Sequence, residues 1–145
     1  ELARAIMSAK RKKQPIETTS QLREIVEQVV LRTKPENPKE AVKKTCQRVF
    51  QALRIDVNSE FEVLDSFLEA LPHILKPGGK AAILTFHSGE DRMVKKSFQY
   101  YAREGIYSDI AKDVIRPSAK ECASNPRARS TKFRWAVRSD VQKYE

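Results

Sequence analysis

Glycine and cysteine are both scarce in this chain of 145 residues, with four of the first and two of the second. So few glycines leave little room for a phosphate-cradling loop, and neither a Gly-x-Gly-x-x-Gly fingerprint nor a Walker loop occurs. Cys46 and Cys122 stand far apart and have no Cys-x-x-Cys partner. They read as free thiols of a protein in a reducing, cytoplasmic compartment. His73 and His87 are the only histidines, so the sequence suggests no metal cluster. No apolar run approaches the ~18 residues of a membrane span, and Glu1-Leu2-Ala3-Arg4 does not open a secretory signal. The chain does not begin with Met, which reads as a start inside a longer protein.

Positive charge is plentiful. Lys and Arg number 28 against 19 acids, a net charge of +9. That balance favours a polyanionic partner such as a nucleic acid. The hydrophobic share of 40% is enough for a modest core.

The stretch from Leu75 to Arg92 organises the rest. Pro77-Gly78-Gly79 ends a helix and turns the chain. Ala81 to Phe86 is apolar without alternation, which predicts a central strand covered on both faces. His87-Ser88-Gly89-Glu90-Asp91-Arg92 then falls at the carboxyl end of that strand, the edge where open α/β sheets bind ligands.

Upstream, the pattern is helical. Leu2, Ala5, Ile6 and Ala9 share one face of a helix over residues 1–13, closed by Lys10-Arg11-Lys12-Lys13, where cations meet the negative end of the dipole. Thr18 and Gln21 form a capping box ahead of Leu22, Ile25, Val26, Val29 and Val30 at helical spacing. Asn37, Pro38 and Glu40 open a further helix. It leads to Gln51, Arg54 and Asn58, which share a face. Ser59 starts the next helix, with Phe61, Leu64, Phe67, Leu68 and Leu71 as its buried stripe. Helix, turn and buried strand together read as the second half of an α/β crossover.

Downstream, Met93, Val94, Phe98 and Tyr101 mark a helix ending near Gly105. A short strand is expected around Asp113 to Arg116, and Ser118 with Glu121 matches another capping box. Asn125 to Ser130 reads as a turn carrying Arg127 and Arg129. Thr131, Phe133, Trp135 and Val137 alternate with Lys132, Arg134 and Arg138, which predicts a strand with an apolar core face and a basic outer face. Residues 125–138 hold five cations and no acid, a candidate phosphate-binding surface.

The polar loop has two readings. Ser88 with Asp91 fits a cap for the following helix. His87 could also face a substrate, because an imidazole beside carboxylates can move protons at neutral pH. A Ser-His-Asp hydrolase is disfavoured, since adjacent residues of one loop rarely aim at a common point and no nucleophile elbow is present.

Phe50-Gln51-Ala52-Leu53-Arg54-Ile55-Asp56-Val57-Asn58, the Leu75–Arg92 stretch with its Phe86-His87-Ser88 core, and Asn125-Pro126-Arg127-Ala128-Arg129-Ser130-Thr131-Lys132 together resemble the bacterial small-subunit ribosomal RNA methyltransferase H family, also called MraW. Ala3-Arg4-Ala5-Ile6 and Pro15-Ile16-Glu17-Thr18-Thr19 resemble it too, in the same order. The resemblance implies a class I Rossmann-like methyltransferase with an inserted all-helical subdomain. It further implies S-adenosylmethionine as methyl donor and the N4 amine of a cytidine in 16S rRNA as acceptor.

On that resemblance, residues 1–49 match the later part of the helical insertion and residues 50–145 the C-terminal part of the α/β domain. The family's glycine-rich loop, its ribose-binding acid and its Asp-Leu-Gly motif are absent here, so its donor-binding residues have no counterparts. Gly89 stands where the family usually has Leu. The candidates are then His87 and Ser88 at the acceptor, and Arg54, Asn58, Arg127, Arg129, Lys132 and Arg134 on the RNA of the small ribosomal subunit. Such a partial sheet would leave apolar surface open, so a homodimer is expected as well. The alternative reading is a non-catalytic RNA-binding module of the same half-fold.

Overall fold

The computed structural model describes residues 1–12 and 14–140, in two compact units, Glu1–Asn58 and Ser59–Glu145. The first is helical, with α1 (Leu2–Arg11), α2 (Thr19–Leu31) and α3 (Pro38–Val57). The capping box at Thr18 forms in full, and of the one at Asn37 only the Asn37 side-chain half forms. Gln21 N donates to Thr18 Oγ1 at 3.2 Å and Thr18 N donates back to Gln21 Oε1 at 3.0 Å. Glu40 N donates to Asn37 Oδ1 at 3.3 Å, with Pro38 at the first helical position. Such caps satisfy amides that the first turn leaves without partners. Among the described residues of this unit, Leu22, Val26 and Val42 are buried. Lys10 and Arg11 lie in the last turn of α1, whereas Lys13 lies outside the described residues. The 49/50 boundary expected from the resemblance falls inside α3. The units separate after Asn58, where Ser59 takes a left-handed conformation with φ 48°.

The second unit runs α4 (Glu60–Ile74), β1 (Lys80–Thr85), α5 (Ser88–Arg103), β2 (Tyr107–Ile110), α6 (Ala119–Ser124), a 3-10 turn (Pro126–Ser130) and β3 (Lys132–Arg138). Its sheet has the order β1-β3-β2, and β3 is antiparallel to both neighbours. β1 and β2 therefore run parallel, joined by α5 across the intervening β3. Leu68, Leu71, Ala81, Val94, Phe98, Tyr107 and Ala136 form the core between α4, α5 and one face of the sheet.

Several expectations are corrected. Among the described strands β1 is an edge rather than a centre, and only one of its faces is covered. Ala81 and Thr85 are buried, while Leu84 is 58% exposed. The unbroken apolar run did not distinguish two covered faces from one. In α4, Leu68 and Leu71 are buried as expected, but Phe67 is 45% exposed. Near Asp113–Arg116 only Ile115 pairs, in a single bridge to Phe133.

The faces of β3 are the reverse of the expected ones. Arg134, Ala136 and Arg138 point into the interior, and Phe133, Trp135 and Val137 are only partly covered. The cations are inside because each meets acceptors there. Arg138 donates to the carbonyls of Pro72 and Ile106 at 3.0 and 3.1 Å and to Ser139 Oγ at 3.2 Å. Its own backbone is tied to the turn before β1, with Gly78 N donating to Arg138 O and Arg138 N donating to Gly79 O. Gly78 makes that turn with φ +72°, a conformation costly for residues with a Cβ.

Candidate functional site

β1 carries the chain into the polar corner Phe86-His87-Ser88, and α5 begins there. The helix is capped one residue earlier than the sequence suggests. Glu90 N donates to His87 Nδ1 at 3.4 Å, and Phe86 N donates to Glu90 Oε2 at 3.1 Å. Ser88 is instead the first helical residue and is exposed. Asp91, the expected partner of a Ser88 cap, is engaged elsewhere. Arg134 Nε donates to its Oδ1 at 2.7 Å and Arg134 Nη2 to its Oδ2 at 3.2 Å, a bidentate pair largely out of water.

His87 is enclosed. Its side chain is 15% exposed, with Nε2 at 3.3 Å from Glu90 Oε1. Nε2 is shut off from solvent, and the approach is too poorly aligned for a hydrogen bond. Phe61, at the start of α4, meets the imidazole edge-on with ring centroids 5.8 Å apart. Gly89 permits this approach. A Cβ there would lie 2.9 Å from Phe61 Cζ and 3.1 Å from His87 Nδ1.

Glu60 completes the group. One ligand atom from each of Glu60, His87 and Glu90 lies within 4.8 Å of the others. That donor set suits a divalent cation in principle. The cap argues against one. Because Nδ1 accepts a backbone N–H, a neutral ring carries its proton on Nε2, which leaves no lone pair there for an ion.

The RNA candidates divide between the units. Arg54 and Asn58 are exposed at the end of α3, in the first unit. Arg127 and Arg129 are exposed on either side of buried Ala128, in a turn that Asn125 caps by accepting from Arg127 N at 3.2 Å. Lys132 is partly buried and donates to Ser130 O at 3.2 Å. Arg134 does not belong with them, since it is 7% exposed and committed to Asp91. Sequence reasoning did not foresee Glu60 or Phe61 beside His87. Glu90 was findable, three residues after the cap, where a carboxylate reaches back.

The MraW methylase family model matches residues 1–139. The chain belongs to the MraW methylase family. Relatives named ribosomal RNA small subunit methyltransferase H 1 agree with it closely. The protein of Lachnoclostridium phytofermentans is 61% identical over 140 residues, covering 96% of this chain and 38% of the relative. That of Agathobacter rectalis is 62% identical over 140 residues, covering 97% and 40%. A more distant ribosomal RNA small subunit methyltransferase H, from Paracidovorax citrulli, is 38% identical over 152 residues, covering 97% and 47%. The chain thus spans less than half the length of these MraW relatives. No helix among the described residues is long and apolar enough to cross a membrane.

Proposed function

We propose that this chain is the C-terminal portion of a ribosomal RNA methyltransferase that moves a methyl group from S-adenosylmethionine to the N4 amine of a cytidine in 16S rRNA, on the small ribosomal subunit in the cytoplasm. The observation that carries the reading is the family match, which covers residues 1–139.

The family's glycine-rich loop and Asp-Leu-Gly motif have no counterparts in this sequence. Gly78 and Gly79 are bound to Arg138, Gly89 lies against Phe61, and Gly105, with φ +73°, follows the end of α5. Gly78, Gly79 and Gly89 are thus taken up by packing within the chain, which supports a part on the acceptor side. Ser88 presents its hydroxyl at the carboxyl end of β1, where it can accept from or donate to the base, and His87 sets that corner from beneath. Arg54, Asn58, Arg127, Arg129 and Lys132 hold the RNA backbone, a salt-sensitive contribution. Positioning of this kind supplies much of the rate in a transfer that needs in-line approach.

The test compares the chain alone with the chain joined to the N-terminal part of the Lachnoclostridium phytofermentans relative, using small subunits and labelled methyl donor. Methylation is expected only from the joined protein, with a loss of at least about tenfold on Ser88→Ala or His87→Ala. His87→Asn, which retains a capping side chain, separates loss of the imidazole from loss of the helix start. Full activity in both His87 variants removes His87 from the reading. RNA binding without methylation by the joined protein favours the second reading, a non-catalytic RNA-binding module.

A further inference from the structure

We propose that Glu60, Phe61 and Glu90 are positioning residues that lock the His87 imidazole in its Nε2–H tautomer, so that this ring is never the group that takes up a proton from a substrate. The inference deepens the acceptor-side reading of the corner and rests on it for its place in the reaction.

Both oxygens of Glu90 face this corner. Phe86 N donates to Oε2 at 3.1 Å, and His87 Nε2 lies 3.3 Å from Oε1 without a hydrogen bond. A negative oxygen so close favours an N–H edge over a lone pair on Nε2. An amide in the same place carries no charge, and its nitrogen is itself a donor. Glu90 N, from the same residue, donates to Nδ1. Backbone and side chain of Glu90 thus address opposite nitrogens of one ring, and each selects the same tautomer. Glu60 adds a second carboxylate within 4.8 Å, from the first turn of α4. Phe61 closes the ring's edge, and Gly89 is what lets it come so near.

The arrangement has a chemical consequence. With Nδ1 occupied by an amide and Nε2 enclosed, neither nitrogen has a lone pair directed at solvent. A proton leaving an amine at this corner must go to another acceptor. The ring's contribution is to hold Phe86 and Ser88 in place.

The tautomer is read directly by long-range nitrogen–proton correlation NMR on the chain, which has only His73 and His87 to assign. The expected spectrum shows His87 Nδ1 unprotonated and Nε2 protonated at neutral pH. Glu90→Gln and Phe61→Ala are expected to convert this to a mixture of tautomers, with His73 and circular dichroism unchanged. In Glu90→Gln, amide exchange at Phe86 is expected to quicken about fivefold to tenfold, the equivalent of one net hydrogen bond. Glu60→Gln tests the more distant carboxylate in the same way. A wild-type ring protonated at Nδ1, or variants that leave the tautomer fixed, overturns the proposal. So does a zinc titration that shifts the Nε2 resonance, which would make the cluster a metal site. No substrate enters these measurements, so their failure and a failure of the methylation reading are distinguishable.

Discussion

Tyr107 shows how one atom can oppose the packing of its own side chain. Its ring meets Phe98 and Tyr101 edge-on, with centroids 5.6 and 5.8 Å away. Its hydroxyl is buried without a hydrogen-bond partner. Burial pushes the phenol up to about 12, with Tyr101 adding to the shift and Arg138 opposing it. The unfolded chain ionises this group near 10. The folded state therefore holds its proton more tightly, and the stability present below pH 10 is lost as pH rises from there towards 12. Tyr107→Phe keeps the ring contacts and removes the orphan hydroxyl. It is expected to be neutral or to add about 1 kcal/mol, and to flatten the alkaline loss. Urea midpoints at neutral and alkaline pH read both effects. A variant destabilised by more than about 2 kcal/mol would mean that the hydroxyl has a partner after all.

At the scale of elements, the pair Arg134–Asp91 fastens β3 to α5. Removing either member strands a charge where little water reaches. Arg134→Ala or Asp91→Ala is expected to cost about 3–5 kcal/mol, measured by denaturant unfolding. Arg134→Lys should restore little, since an ammonium cannot make the bidentate pair. A loss below about 1 kcal/mol in each would mean that the pair is solvated.

The same pair shows what was legible in the sequence. The capping box at Thr18 and the single cap at Asn37 could be read because donor and acceptor lie three residues apart. Strand β3 could be read as a strand because its period is local. Which face of β3 turns inward could not, because it depends on Asp91, 43 residues away in sequence, and on the Pro72 carbonyl, 66 away. The candidate site divides the same way. The corner itself was visible at Phe86-His87-Ser88, whereas Glu60 and Phe61 reach it only through folding.

Across the whole molecule, the outer face of the sheet is the unfinished part. Leu84, Phe86 and Ile115 are 58%, 58% and 48% exposed, and β1 has a hydrogen-bonded neighbour on only one side among the described strands. Exposed apolar surface beside an open strand edge invites pairing with another chain. The chain by itself is expected to self-associate with rising concentration, and Leu84→Lys to shift it towards monomer, in sedimentation velocity. A wild-type chain that stays monomeric throughout would remove the homodimer from the reading.

The strand order also sets a timetable. β3 is the last strand in the chain but lies between the other two, and it supplies every cross-strand partner that β1 and β2 have in this sheet. Among the described strands, β1 and β2 have no partner until Lys132 to Arg138 arrives. Contacts so distant along the chain make for slow, late assembly. A stop codon just before Lys132 would remove not one strand's share but every ladder described between these three strands.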